Sequence, residues 1–157
     1  MTKEEVREVS ICKLHLTENA VVYDIGSGTG SVAIEIAGVP GRVQVYAIER
    51  KPEAVELLRK NREHFHRDNM EIIEALAPEG LEELPVPTHA FIGGSGGRLL
   101  EILQVLYRKN PHMRIVINAI SMETIAELRE VLEAFPVEEE EILQMQVNRV
   151  KQLGSYH

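Results

Sequence analysis

The chain has 157 residues, 44% of them apolar, and a formal net charge of −8, from 17 Lys and Arg against 25 Asp and Glu. That length fits one hydrophobic core in a single domain over residues 1–157. The negative balance argues against a nucleic-acid binder, whose affinity comes from Lys and Arg on phosphates, and no apolar run reaches the roughly 18–20 residues that span a bilayer.

The first ten residues, MTKEEVREVS, show no apolar stretch behind a basic one, so the sequence predicts no secretory leader and a cytoplasmic protein. One cysteine, Cys12, leaves no partner for an internal disulfide or a thiolate metal cage. Among the six histidines, His64 and His66 stand two apart, which on a helix turns them to different faces, and no metal site is expected.

In chain order, Thr2-Lys3-Glu4-Glu5 has the letters of a capping box and predicts a helix through about Leu14. Ala20–Ile25 predicts the first strand, followed by glycines and a short helix with Val32, Ala33, Ile36 and Ala37, and then a turn at Gly38-Val39-Pro40-Gly41. Val43–Ile48 predicts the second strand. Pro52, suited to a first helical turn, opens a helix with Val55, Leu58 and Arg62 on one stripe. Met70–Ile73 and Ala90–Ile92 predict strands three and four. Arg98–Arg108 carries Leu99, Ile102, Leu103 and Leu106 at the spacing of a buried helix face. Met113–Asn118 predicts strand five, and Ile125, Leu128, Leu132 and Phe135 a last helix. Leu143, Met145 and Val147 alternate with Gln144, Gln146 and Asn148, which reads as an antiparallel, half-exposed final strand. Short β-branched runs alternating with helical periods predict an α/β fold, a mostly parallel twisted sheet with helices on both faces.

Chemistry concentrates in two glycine-rich turns. Asp24-Ile25-Gly26-Ser27-Gly28-Thr29-Gly30 joins an apolar strand to a helix, at the strand end where doubly wound sheets bind nucleotides. The spacing is G-x-G-x-G; Ser31 stands where the dinucleotide fingerprint has its third glycine, which disfavours a pyrophosphate ligand. Asp24 would repel phosphate and suits a ligand carrying a cation or amine. Glu49, at the end of the second strand, is placed to accept both ribose hydroxyls. Glycine turn and acid together resemble the class I S-adenosylmethionine-dependent methyltransferases. Each also has a plainer reading, a structural turn and a solvated strand end. The second turn, Gly93-Gly94-Ser95-Gly96-Gly97, follows the fourth strand and lacks the Asn/Asp-Pro-Pro-aromatic sequence typical of amino-group methylases. A rim so poor in side chains suits a large, flat substrate; a ligand-free flexible loop is the alternative.

A closer resemblance rests on Thr2–Arg7, Asp24–Ser31, Phe91–Gly97, Val116–Ala119 with Glu123-Thr124, and the ending Leu153-Gly154-Ser155-Tyr156-His157. These segments resemble the decarboxylating precorrin C15-methyltransferases of cobalamin biosynthesis. The resemblance implies a Rossmann-like domain that uses S-adenosyl-L-methionine to methylate precorrin-6B, or its cobalt form, at C15 with loss of the C12 acetate carboxyl. It also implies a homo-oligomer, commonly a tetramer. Carried over by position, it implies that Gly26, Ser27, Gly28, Thr29 and Gly30 wrap the methionine part and the sulfonium. Glu49 then holds the ribose, Thr2 closes over the cofactor and Ala77 faces the adenine. Gly94, Ser95 and Arg98 are the substrate-side candidates, Arg98 for the precorrin's carboxylates, with Arg149 and Lys151 behind it.

Three departures stand out. Ala75-Leu76-Ala77-Pro78 replaces the family's Gly-Asp-Ala-Pro, which removes an acidic contact to the adenine amine. His89 stands where an Asp leads into the rim, as a proton carrier near neutral pH or a structural residue. The family also extends beyond this sequence at both ends. No catalytic nucleophile is expected, because the attacking carbon belongs to the substrate. Two further readings share these residues: a methylase of another small molecule or tRNA, and a cofactor-binding module without catalysis.

Overall fold

The computed structural model describes residues 2–150. Five strands form one sheet: β1 (Val21–Ile25), β2 (Gln44–Glu49), β3 (Met70–Glu74), β4 (His89–Ile92) and β5 (Arg114–Ile117). Their order is β3-β2-β1-β4-β5 and every pairing is parallel. The helices are α1 (Glu4–Leu14), α2 (Ser31–Ala37), α3 (Pro52–His64), α4 (Leu99–Lys109) and α5 (Met122–Ala134). The order reverses direction at β1, whose neighbours are β2 and β4. The carboxyl ends of those three strands therefore frame the crevice where such sheets bind ligands.

Both faces of the sheet are covered, which is why its central strands read as unbroken apolar runs. Successive residues alternate between two cores. Val22, Val45, Ala47 and Phe91 pack with Leu14 of α1, Val32, Ala33 and Ile36 of α2 and Leu58 of α3. Tyr23, Ile25, Ala90 and Ile92 face the other way, against Leu99, Ile102 and Leu106 of α4 and Val131 of α5. Asp24 lies on the first of these faces, beneath α2, without any exposure.

Two sequence expectations fail. The capping box does not form: Lys3 occupies the cap of α1 and makes no side-chain bond there, which leaves Thr2 one residue outside the helix. Glu4 and Glu5 stabilise the first turn instead, as negative charge at the positive end of the helix dipole. The final antiparallel strand is also missing among the described residues, because 141–150 adopt no strand. Ion pairs from Glu141 to Lys13 and from Arg149 to Glu5 lay this segment beside α1 and not in the sheet. Alternating polarity without a neighbouring strand leaves Leu143 and Met145 exposed.

In α5 the packed side chains are Leu128, Val131 and Phe135, while Ile125 is exposed. Ser121 caps this helix, accepting a hydrogen bond from the Thr124 N–H. No helix among the described residues is long and apolar enough to cross a membrane.

Candidate active site

The carboxyl edge of the sheet is stitched together just past the strands. The Gly26 and Ser27 N–H groups both donate to the Ile48 carbonyl at 3.0 Å, Gly93 N–H to Ile25, Asn118 N–H to Ile92, and Ala75 N–H to Glu49. The loops after β1, β2, β3, β4 and β5 are thus fixed side by side before any side chain is considered.

The turn after β1 is held from below and behind. Asp24 Oδ2 accepts from the Ser27 hydroxyl at 2.7 Å and from the Ala33 N–H at 3.1 Å, so the Ser27 side chain is engaged by the protein. Burial pushes the Asp24 carboxyl up to about 6, eased by its bonds to Ser27 and Ala33 and reinforced by the charge of Glu49. Its Oδ1 is buried with no partner. Asn61 of α3 donates to the Thr29 carbonyl at 3.0 Å. Gly30 caps α2 with φ +82°, and a Cβ there would fall 2.0 Å from Leu58 Cδ1, so this glycine is demanded by the core.

Glu49 turns toward this loop. Its Oε2 accepts from the Gly28 N–H at 2.8 Å, and its Oε1 accepts from the Arg50 and Lys51 N–H groups at 2.9 Å each. With about four acceptor positions on a carboxylate, one remains on Oε2, beside Gly28. One ribose hydroxyl fits as the side chain stands; a two-hydroxyl grip requires Glu49 to release one backbone partner.

A Cβ built on Gly28 or on Gly94 meets no atom within 4 Å, so both glycines border open space. Gly26 does not: its added Cβ would strike the Gly94 backbone. The turn and the rim thus touch at Gly26 and part at Gly28, leaving a groove bordered by backbone and the Glu49 carboxylate, with Asp24 sealed beneath the turn. That set fits the hydroxyls of a nucleoside lying against the Gly28 backbone.

The rim itself is exposed at Gly94, Gly96 and Gly97, but Ser95 is turned inward and is 7% exposed. Its hydroxyl donates to Glu127 Oε2 of α5 at 3.4 Å. Arg98 leaves the rim toward two carboxylates, with Nη1 on both oxygens of Glu79 (2.6 and 2.7 Å) and Nη2 on Glu101 (2.5 Å). That guanidinium holds the Glu79 and Glu101 carboxyls below the usual carboxylate range. A substrate carboxylate reaching Arg98 has to displace one of them. Glu79 follows the cis Ala77–Pro78 bond, so the ion pair straps the segment after β3 to the rim.

The remaining sequence candidates lie further out. Ala77 is packed in the core with Tyr23, Ile25 and Leu81, which leaves only its backbone for an adenine. Leu76 contacts the rim, its Cδ1 being 3.3 Å from a Cβ built on Gly96. Thr2 precedes α1, which runs antiparallel to β5, since Ser10 bonds Asn118 past the strand's end and Arg114 at its start bonds the Lys13 carbonyl. Thr2 therefore lies toward the carboxyl edge. His89 is the first residue of β4, at the opposite edge and about 13 Å along the strand from the rim. Burial, aided by Arg114, lowers its pKa, and its place at the far end of β4 keeps it away from the rim. Arg149 is paired with Glu5 beside α1, and Lys151 and the closing LGSYH lie outside the described residues.

Asn61, Glu79 and Glu127 went unread in the sequence. Asn61 carried a signal, three residues after Leu58 on the inward stripe of α3; the glutamates are set by tertiary packing alone.

Residues 1–157 match the family described as the precorrin methyltransferase domain. The chain is 46% identical over 127 residues to a Sulfolobus acidocaldarius protein named probable cobalt-precorrin-6B C(15)-methyltransferase (decarboxylating), covering 79% of this chain and 66% of that one. It therefore spans just under two thirds of that relative's length. The Salmonella typhimurium cobalt-precorrin-6B C(15)-methyltransferase (decarboxylating) is 34% identical over 158 residues, covering 100% of this chain and 81% of its own. Among solved structures, precorrin-6y C5,15-methyltransferase from Geobacter metallireducens superposes with a TM-score of 0.81 at 41% identity, covering 85% of this chain and 71% of that one.

Proposed function

The chain belongs to the precorrin methyltransferase family, and from that premise we propose that it transfers a methyl group from S-adenosyl-L-methionine to C15 of precorrin-6B or cobalt-precorrin-6B, with decarboxylation of the C12 acetate, in cobalamin biosynthesis. The observation that carries this reading is the backbone-lined groove beside Gly28, with the Glu49 carboxylate bound to the Gly28 N–H, in a chain matched to that family from end to end.

When bound, the cofactor supplies an electrophilic methyl on a sulfonium. The protein's task is placement and exclusion of water, which well-oriented reactants convert into roughly 7–11 kcal/mol of barrier lowering. Glu49 orients the ribose from one side of the Gly28 turn. Gly26 and Gly94, in backbone contact, let donor and acceptor approach with no side chain between them. The C15 nucleophile and the electrons released by decarboxylation come from the tetrapyrrole, so no protein nucleophile is needed.

The same reading takes the reaction to the cytoplasm, with the methyl donor, and includes self-association into a homo-oligomer such as a tetramer. Light scattering on the purified chain tests that part.

The catalytic reading is tested by incubating the protein with S-adenosylmethionine and precorrin-6B, then repeating with the cobalt form. A product that has gained a methyl and lost carbon dioxide supports it; recovery of both tetrapyrroles unchanged contradicts it.

A further inference from the structure

The middle of the glycine rim is anchored by one side chain. Gly94, Gly96 and Gly97 are exposed, yet Ser95 between them is buried, with its hydroxyl on Glu127 Oε2 at 3.4 Å. The other carboxylate oxygen of Glu127 also faces the rim, 3.8 Å from where a Cβ on Gly97 would lie. At its ends the rim is tied by the Gly93 N–H to the Ile25 carbonyl and by the Arg98 N–H to the Ser95 carbonyl. A segment with four glycines in five residues has little conformational preference of its own. Among the described residues, the Ser95 hydroxyl makes the one side-chain hydrogen bond that starts within residues 93–97.

We propose that Glu127 is a positioning residue: by holding the Ser95 hydroxyl it sets the rim in the form that receives the acceptor, without itself handling the reacting atoms. This rests on the methyltransferase reading above. The cofactor groove is built from the Gly26–Gly30 turn and Glu49, so Glu127 acts on the acceptor and not on the donor. A neutral glutamine serves as well as the acid, since its carbonyl oxygen also accepts from a hydroxyl.

Four proteins decide it: wild type, Glu127→Ala, Glu127→Gln and Ser95→Ala. Glu127→Ala and Ser95→Ala should each lower kcat/KM for precorrin-6B roughly tenfold, the worth of one hydrogen bond to a charged acceptor, chiefly through KM. Their affinity for S-adenosylhomocysteine should stay within about twofold of wild type. Glu127→Gln should recover most of the loss. If Glu127→Gln is as impaired as Glu127→Ala, the carboxylate has an acid–base role and the positioning role is wrong. If Glu127→Ala equals wild type, Glu127 has no role in turnover and the proposal fails. Amide hydrogen exchange at residues 93–97 reads the same bond without any turnover: exchange should rise in Glu127→Ala and not in Glu127→Gln. Wild type inactive on precorrin-6B but showing this exchange pattern would reject the substrate while keeping the anchor; unchanged exchange in Glu127→Ala would reject the anchor itself.

Discussion

A Cβ on Gly26 would come 2.5 Å from the carbonyl oxygen of Gly94, so the turn after β1 and the rim after β4 meet backbone to backbone. Gly26 therefore has no room for a side chain, and it also has φ +73°, in the left-handed region. Two residues further on, Gly28 has φ +59° and open space in front of it. The two glycines therefore respond differently to the same substitution.

Gly26→Ala puts a Cβ against the Gly94 backbone and strains the left-handed residue, which distorts the cofactor turn itself, and should lower the melting temperature and abolish binding of S-adenosylhomocysteine. Gly28→Ala pays only the left-handed strain, about 1–2 kcal/mol, and keeps the fold, while its methyl enters the groove and weakens the ligand. Thermal denaturation together with calorimetry separates them. Equal melting temperatures for the two variants would mean that the Gly26–Gly94 contact is not tight.

Removing the Glu49 carboxylate strips a hydrogen bond from Gly28 and the acceptor offered to the ribose. Glu49→Ala should weaken S-adenosylhomocysteine by about 1.5–3 kcal/mol. An isotherm indistinguishable from wild type would take Glu49 out of the cofactor site.

Asp24 titrates near 6 in the folded chain against a reference value of 3.8, because burial disfavours its charge. Between those pH values the native state keeps a proton that the unfolded chain has released. Stability therefore falls as pH rises through that window, and above pH 6 the buried charge costs on the order of 3 kcal/mol. Asp24→Asn, which stays neutral and can still accept from Ser27, should gain on wild type as pH rises from 4 to 7. Melting curves that run parallel across that range would show that Asp24 does not carry this cost.

Arg98 is held by Glu79 and Glu101 on an exposed surface, where such pairs add little stability. Glu79→Gln frees one side of the guanidinium and should lower the KM for a polycarboxylate tetrapyrrole, whereas Arg98→Ala should raise it. Both should melt close to wild type. A KM that Glu79→Gln fails to lower and Arg98→Ala fails to raise would show that Arg98 is committed to the strap and does not meet substrate.

The sheet and its ligand edge were legible because they rest on local pattern: apolar strand runs, the stripe of Leu99, Ile102, Leu103 and Leu106, and glycines placed between strand and helix. Glu49 was legible by its place at a strand end, but its bonds to Gly28, Arg50 and Lys51 were not, since they depend on how two loops are juxtaposed. The 143–147 alternation misled because pairing requires a neighbour that only the tertiary fold supplies. Thr2 misled because capping depends on where the helix begins, and it begins after Lys3. Arg98 was visible as a charge on the rim, yet Glu79, 19 residues away, decides what that charge meets.

The most direct test is calorimetric titration of the wild-type chain with S-adenosylhomocysteine near neutral pH. Saturable binding at one site per chain, weakened by both Gly28→Ala and Glu49→Ala, is the expected result. Absence of heat and of any thermal shift, or binding that both variants leave intact, would show that the nucleoside does not lie along the edge where β1, β2 and β4 end.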